Sequence, residues 1–309
     1  MAVNTELQPL DICAIIVTYY PSLATLDKVL TNIASQVGSL IVVDNGSDSA
    51  TKAWLRKRLT DSSLVDLRDN CGLSAGFNKG IDLAVERGSS HVLLMDQDSI
   101  AGPQMVGRLI AGLTRLRARN LAIAAVGPKC VDPRYRAEFP FVRLGLLRNH
   151  HISCRENEDA LVPADFLISS GTLIPLDVIA SVGAMDEGLF VDNLDLEWSF
   201  RVRALGYGLY GICNATMQHH IGDSITSFWF GGRHDLIVHS PTRLYYMMRN
   251  RLLLYKRSYT PWRWIYKDVL RALSKLLLFS LLVKPRKTNL SMMLRGLADG
   301  YRGVEGRLR

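Results

Sequence analysis

Two aspartates separated by one glutamine, Asp96-Gln97-Asp98, stand immediately after the apolar run 92–95. On an extended backbone, residues two apart project to the same side, and paired carboxylates suit a hard divalent cation. Magnesium takes one or two protein carboxylates and completes its shell with water and substrate phosphates, so two acids are enough. The same residues also serve as a cap for the helix after Pro103 or as an Asx turn. The surrounding residues have to decide between these uses.

Several other groups could join such a site. Asp44 ends the run 41–43 and precedes Asn45-Gly46-Ser47; its carboxylate could accept the imide N–H of a pyrimidine base or belong to a plain turn. Asn70-Cys71-Gly72 opens a stretch with glycines at 72, 76 and 80. That spacing lets a helix pack closely, and its first turn offers free N–H groups to an anion. Close packing is expected of Gly76 and Gly80, and backbone approach by a ligand of Gly72. Asp192, Asp195 and Glu197 fall at the start of an expected helix. Acids there are favoured by the helix dipole and by capping, but a general base also has to be a carboxylate within hydrogen-bond reach of the proton it takes. His219 and His220 follow a strand-like run, and a neutral imidazole can complete a shell begun by carboxylates.

The elements expected to position these groups alternate. Strands are predicted at 12–17, 40–43, 64–67 and 92–95, and helices at 23–36, near 50–59 and at 73–87. Such alternation implies an α/β fold with a mostly parallel sheet flanked by helices. Ligands of open parallel sheets bind beyond the carboxyl ends of the strands, where Thr18-Tyr19, Asp44, Asn70 to Gly72 and Asp96 to Asp98 all lie. After Pro128 the alternation weakens, and 130–163 reads as an irregular, acceptor-facing excursion. A helix at 194–205 and a strand at 207–218 follow.

With 309 residues and 48% hydrophobic content, the chain can bury a large core as one α/β domain with a C-terminal extension, or as two coupled subdomains. Five scattered cysteines without CxxC spacing read as reduced thiols. The first residues, MAVNTELQPLDI, do not read as a secretory signal, and the longest apolar run, 276–283, falls short of the ~20 residues that span a bilayer. The net charge of +8 is uneven: residues 243–309 hold sixteen Lys and Arg against three acids, an excess of +13 that leaves −5 for the rest. A basic tail of this kind implies an anionic partner. Trp262, Trp264, Leu270, Leu273, Leu277 and Leu278 interleave with Lys267, Arg271 and Lys275, which suits a helix lying on an anionic membrane surface. Packing on the domain or a homodimer interface are the alternatives. No nucleic-acid module accompanies the charge, so nucleic acid is not expected as a partner. A dinucleotide fold would need GxGxxG after the first strand, where Thr18-Tyr19-Tyr20-Pro21 stands. A sugar nucleotidyltransferase would need a glycine-rich basic loop at the same place.

Taken together, the motifs VTYYP, VVDNGS, NCGLSAGFNKGI, LLMDQDS, FLISSGTLIP, FVDNLDLEWSFR, YYMMRNRLLLYKR and KLLLFSLLVKP resemble, in order and spacing, the inverting family-two glycosyltransferases with a GT-A fold. More narrowly they resemble the bacterial rhamnosyltransferase branch, from about residue 13 to residue 303. The resemblance implies a nucleotide-sugar site at Thr18, Tyr19, Asp44, Asn70, Gly72, Asn78 and Asp96. It implies a Mg2+ or Mn2+ site at Asp96, Asp98 and His219, the histidine matching a metal ligand of related galactofuranosyl transferases. The acid six residues before Arg201 makes Asp195 the implied base and Glu197 the following acid of that motif. Many relatives carry Glu-Asp where this chain has Leu194-Asp195, which keeps Asp192 as an alternative base.

The resemblance also implies dTDP-L-rhamnose as donor, with UDP-galactofuranose or UDP-glucose as alternatives. The implied acceptor is a glycan, lipid-linked in O-antigen or other surface-polysaccharide assembly, handled on the cytoplasmic face of the inner membrane. The expected organisation is a GT-A domain at 1–240, nucleotide-binding over 1–128 and acceptor-binding over 129–240, followed by a basic amphipathic helical extension at 241–309. A non-catalytic scaffold binding membrane or polysaccharide is the rival from another class.

Overall fold

The computed structural model describes residues 8–132, 137–154, 157, 159–219, 224–229 and 233–308. The expectation about the first residues falls mainly on 1–7, outside this set, as does part of the 130–163 excursion. The apolar run ICAIIV becomes β1 (Ile12–Thr18), buried at every position, as a central strand covered on both faces must be. β2 (Ser39–Asn45), β3 (Leu64–Leu67) and β4 (His91–Asp96) lie parallel to it, connected through α1 (Leu23–Ala34), α2 (Ser49–Arg58) and α3 (Leu73–Glu86). A methyl group at Gly80 would sit 2.3 Å from Ile15 Cγ2. That glycine therefore seats α3 directly on β1, the close packing its spacing implied.

Next come β5 (Ile100–Ala101), α4 (Met105–Arg117), β6 (Ile123–Asp132), β7 (Ala137–Glu138), β8 (Phe141–Arg143), β9 (His150–Ile152), β10 (Leu161–Ala164) and β11 (Leu173–Pro175). The chain continues with α5 (Leu176–Val182), α6 (Leu194–Ala204), β12 (Gly208–Gln218) and a hairpin of β13 (Ser224–Trp229) and β14 (Arg233–Val238). The main path of the large sheet runs β10-β12-β6-β11-β4-β1-β2-β3. β11 is antiparallel to both β4 and β6, and β10 is antiparallel to β12. The mostly parallel expectation thus holds for β1 to β4, β6 and β12, while β10 and β11 are reversed. Strand order changes direction between β1 and β4, where Val17 pairs with Asp96; on the other side of β1, Thr18 pairs with Asp44 of β2. A crevice at such a switch point is where open α/β sheets bind ligands.

One expectation needs correction. Cys154 and Cys213 form a disulfide with a Cα separation of 5.4 Å, while Cys13, Cys71 and Cys130 are free. Their 59-residue separation hides a proximity that arises only when β12 runs beside the 130–163 excursion. The basic C-terminal region also begins inside the protein. On α7 (Pro241–Tyr255), Leu244, Arg249 and Asn250 are fully buried, and Arg251 pairs at 2.8 Å with the buried Asp268 of α8 (Trp262–Leu281). Two of the cations there, Arg249 and Arg251, are thus internal, satisfied by backbone carbonyls and by Asp268. α8 and the final helix α9 (Arg286–Arg302) carry the exposed remainder.

Candidate active site

β4 ends at Asp96, β12 ends at Gln218, and the residues following each strand converge. Asp96, Asp98 and His219 each present a ligand atom within 4.8 Å of the others. Opposed ligands of a magnesium ion stand about 4.2 Å apart, so the cluster is near the span a divalent cation needs. Asp96 keeps 28% of its side-chain surface, but its dense surroundings and the neighbouring Asp98 charge push its carboxyl up to about 7, against the opposing pull of Arg243. A bound cation would relieve that cost, so the donor set fits a hard metal ion. Ser99 Oγ lies 2.7 Å from His219 Nδ1, the kind of outer contact that fixes a ligating imidazole's orientation. The Asp96 N–H donates to Ser170 Oγ at 3.0 Å. His220 lies outside the described residues.

On the β1–β3 side, Thr18 Oγ1 donates to Asp44 Oδ1 at 3.2 Å and the Ser47 N–H to Asp44 Oδ2 at 3.1 Å. Lys52 stands 4.0 Å from the same carboxylate. Asp44 is therefore a fully buried acceptor, fixed at the carboxyl end of β2. Asn70 Oδ1 accepts from Asn45 Nδ2 at 3.2 Å and from the Gly72 N–H at 3.0 Å, which ties the Asn70 to Gly72 turn to the end of β2. Tyr19 is exposed at the rim and held through its backbone by Gln97.

Gly72 does a different job from the one expected. Its φ is +95°, and a Cβ there would lie 2.7 Å from the Phe190 carbonyl oxygen. The close approach is made by the protein's own Phe190 backbone, which also accepts a 2.7 Å hydrogen bond from the Leu73 N–H. Asn78 likewise clips α3 to the segment before α6, bonding the Met185 N–H and carbonyl at 2.9 Å each and Glu187 at 2.8 Å. All its amide hydrogen-bonding groups are engaged in holding that segment, so its contribution to a nucleotide-sugar pocket is indirect.

The three acids at the start of α6 and just before it have distinct surroundings. Glu197 is 1% exposed and accepts from Arg201 at 2.8 and 2.9 Å and from the Tyr259 hydroxyl at 2.5 Å. It is the centre of a buried ion pair. Asp192 faces Arg243 across hydrogen bonds of 3.0 to 3.2 Å. Asp195 accepts a 2.9 Å bond from the adjoining Leu196 N–H and, among the described residues, bonds no cationic side chain. Burial, reinforced by the charges of Asp192 and Asp96, pushes its carboxyl up to about 6. Of the three, Asp195 alone has no cationic side chain bonded to it, and its raised affinity for a proton suits a base. Beside it, the Asn193 amide nitrogen is buried without a hydrogen-bond partner.

The arrangement is the GT-A fold, an α/β sheet with an acidic cluster at its switch point. The chain resembles the crystal structure of GalNAc-T7 with UDP, GalNAc and Mn2+ at a TM-score of 0.59 and 11% identity, over 92% of this chain and 54% of that one. It resembles S. aureus TarS 1-349 in complex with UDP-GlcNAc at 0.57 and 15% identity, over 95% and 81%. Residues 14–161 match the model of glycosyl transferase family 2. A curated relative, dTDP-rhamnosyl transferase RfbF of Shigella flexneri, is 29% identical over 305 residues, 96% of this chain and 97% of its own. Low-salt glycan biosynthesis hexosyltransferase Agl10 of Haloferax volcanii is 26% identical over 203 residues, 63% of this chain and 62% of its own.

Proposed function

We propose that this glycosyltransferase moves L-rhamnose from dTDP-L-rhamnose to a hydroxyl of a glycan acceptor, with inversion. The observation that carries the mechanism is the Asp96, Asp98 and His219 cluster together with Asp195, an acid that feels the Asp96 charge and to which, among the described residues, no cationic side chain is bonded. The donor is suggested by the near full-length similarity to a dTDP-rhamnosyl transferase. In this reading residues 1–128 bind the nucleotide and 129–240 the acceptor, and Asp44 accepts the imide N–H of thymine. Asp195 takes the proton of the acceptor hydroxyl while that oxygen bonds to the anomeric carbon. The bond from that carbon to the diphosphate oxygen breaks, and dTDP leaves with the electron pair. Asp96, Asp98 and His219 would hold Mg2+ or Mn2+, which supplies positive charge to the departing diphosphate. Inversion gives an α-L-rhamnoside.

The acceptor is proposed to be lipid-linked, in O-antigen or related surface-polysaccharide synthesis at the cytoplasmic face of the inner membrane. Among the described residues, no helix is long and apolar enough to cross a membrane. On α8, however, Trp262, Leu270, Leu273, Leu277 and Leu281 are each more than half exposed, at a spacing that puts them on one helical face. Exposed Arg263 and Arg271 flank them. An apolar stripe bordered by cations suits an anionic bilayer, and pelleting with anionic vesicles should fail for Leu273→Glu/Leu277→Glu. A homodimer through this face would instead show a concentration-dependent change of mass that the same variant abolishes.

The donor is tested with dTDP-L-rhamnose, UDP-galactofuranose and UDP-glucose in parallel, each with a suitable acceptor and with and without Mn2+. Metal-dependent release of dTDP from the first is expected. Release from a UDP-sugar alone would reassign the donor, and binding of no nucleotide at all would favour the scaffold.

A further inference from the structure

We infer that Arg249 and Asn250 of α7 are positioning residues that set Asp195 for proton abstraction by clamping the carbonyls of residues 188–192. The inference rests on the reading of Asp195 as the base. The segment entering α6 holds an unusual backbone: Phe190, Asp192 and Asn193 have φ values of 64°, 62° and 64°. Non-glycine residues occupy this region rarely, and such conformations persist only where the surroundings over-determine them.

Those surroundings come from the two sides of the segment. The two N–H groups of Asn250 Nδ2 are shared among the carbonyls of Leu189 at 2.9 Å, Val191 at 2.7 Å and Asp192 at 2.8 Å. Arg249 Nη2 donates to Leu189 O at 2.8 Å and Gly188 O at 3.1 Å, while its Nη1 bonds the Gly306 carbonyl. The pair is itself locked, with Arg249 Nε donating to Asn250 Oδ1 at 2.9 Å. Opposite, Phe190 rests on Gly72, and its ring stacks on Tyr246 of α7 with centroids 5.0 Å apart. The segment is pinned between the Asn70 to Gly72 turn and α7, and Asp195 sits in the first turn of the helix it launches.

The chemistry of the clamp argues against a role in stability alone. Arg249 is fully buried, and the groups it bonds are carbonyls and the Asn250 amide, with the rings of Tyr245 and Tyr246 at 5.7 and 4.9 Å. A buried guanidinium without a carboxylate is expensive, and well-packed apolar residues stabilise such a place at least as well. A forked donor offers a fixed direction for several carbonyls at once, which apolar packing cannot supply.

The test compares wild type, Asn250→Ser and Arg249→Lys for kcat, donor KM and affinity for dTDP with Mn2+. Displacing a reacting group by about 1 Å can cost about 100-fold, so kcat should fall about 10- to 100-fold in both variants. Affinity for dTDP should stay within about two-fold, because the donor-side residues lie on other elements. Wild-type kcat in either variant, or loss of kcat and dTDP affinity in parallel, overturns the clamp. If wild type itself turns over no donor, the underlying reading fails instead, which separates the two outcomes.

Discussion

Gln97 grips the backbone of Tyr19 with both ends of its amide: the Tyr19 N–H donates to Oε1 at 2.8 Å, and Nε2 donates to the Tyr19 carbonyl at 3.3 Å. The middle residue of Asp-Gln-Asp is thus a brace across the switch point, joining the loop after β1 to the metal-ligand cluster. Each such bond contributes about 1 kcal/mol net. Gln97→Ala removes both, about 2 kcal/mol, and should therefore raise donor KM by up to about 30-fold while leaving kcat within about two-fold in initial-rate measurements. A fall in kcat at unchanged KM would show that the brace acts elsewhere.

Metal binding should be visible without turnover. A ligand at a hundred times its dissociation constant adds about 2.7 kcal/mol of stability, so saturating Mn2+ should raise the wild-type melting temperature by several degrees. Asp98→Asn and His219→Ala should lose that rise, as should wild type after chelation. An equal rise in all three proteins would remove these residues from the site.

The pH dependence has a definite sign. Asp195 acts as base only when ionised, and its carboxyl is pushed up to about 6. Transfer should be constant above that value and fall as pH drops through it, approaching about tenfold per unit. Asp192 raises Asp195 and is itself paired with Arg243. Asp192→Asn removes the raising charge, which moves the acid limb to lower pH. A limb that moves upward would contradict the assignment.

Glu197 separates stability from chemistry. Its pairing with Arg201 is buried, and breaking a buried pair by removing one partner costs about 3 to 5 kcal/mol. Glu197→Gln should lower the denaturant midpoint by a corresponding amount, while the fraction that remains folded transfers within a few-fold of wild type. Full stability with abolished transfer would restore Glu197 as a catalytic candidate.

The first half of the fold was legible because β1 to β4 are apolar runs ended by polar or glycine-bearing turns, and α1 to α3 lie between them at the expected places. β8 and β9 are only three residues each, too short for a periodic pattern, and β11 includes Pro175, a poor strand signal. The acids and His219 were legible as candidates through motif spacing. Their division of labour was not, since only tertiary contacts show Glu197 bound to Arg201 and Asp192 to Arg243. Gln97, Ser99, Arg249 and Asn250 escaped for the same reason. A polar residue inside a basic helix reads as surface until the carbonyls it serves, some sixty positions earlier, come into view. Gly72 misled because its freedom serves Phe190, a contact across the fold.

The most direct test of the central claim compares Asp195→Asn with Asp192→Asn. Asn is nearly isosteric with Asp but cannot accept the acceptor hydroxyl's proton. Asp195→Asn should abolish transfer from dTDP-L-rhamnose while still binding dTDP with Mn2+, and Asp192→Asn should retain measurable turnover. Retained transfer in Asp195→Asn, with loss in Asp192→Asn, would contradict the account and move the base to Asp192.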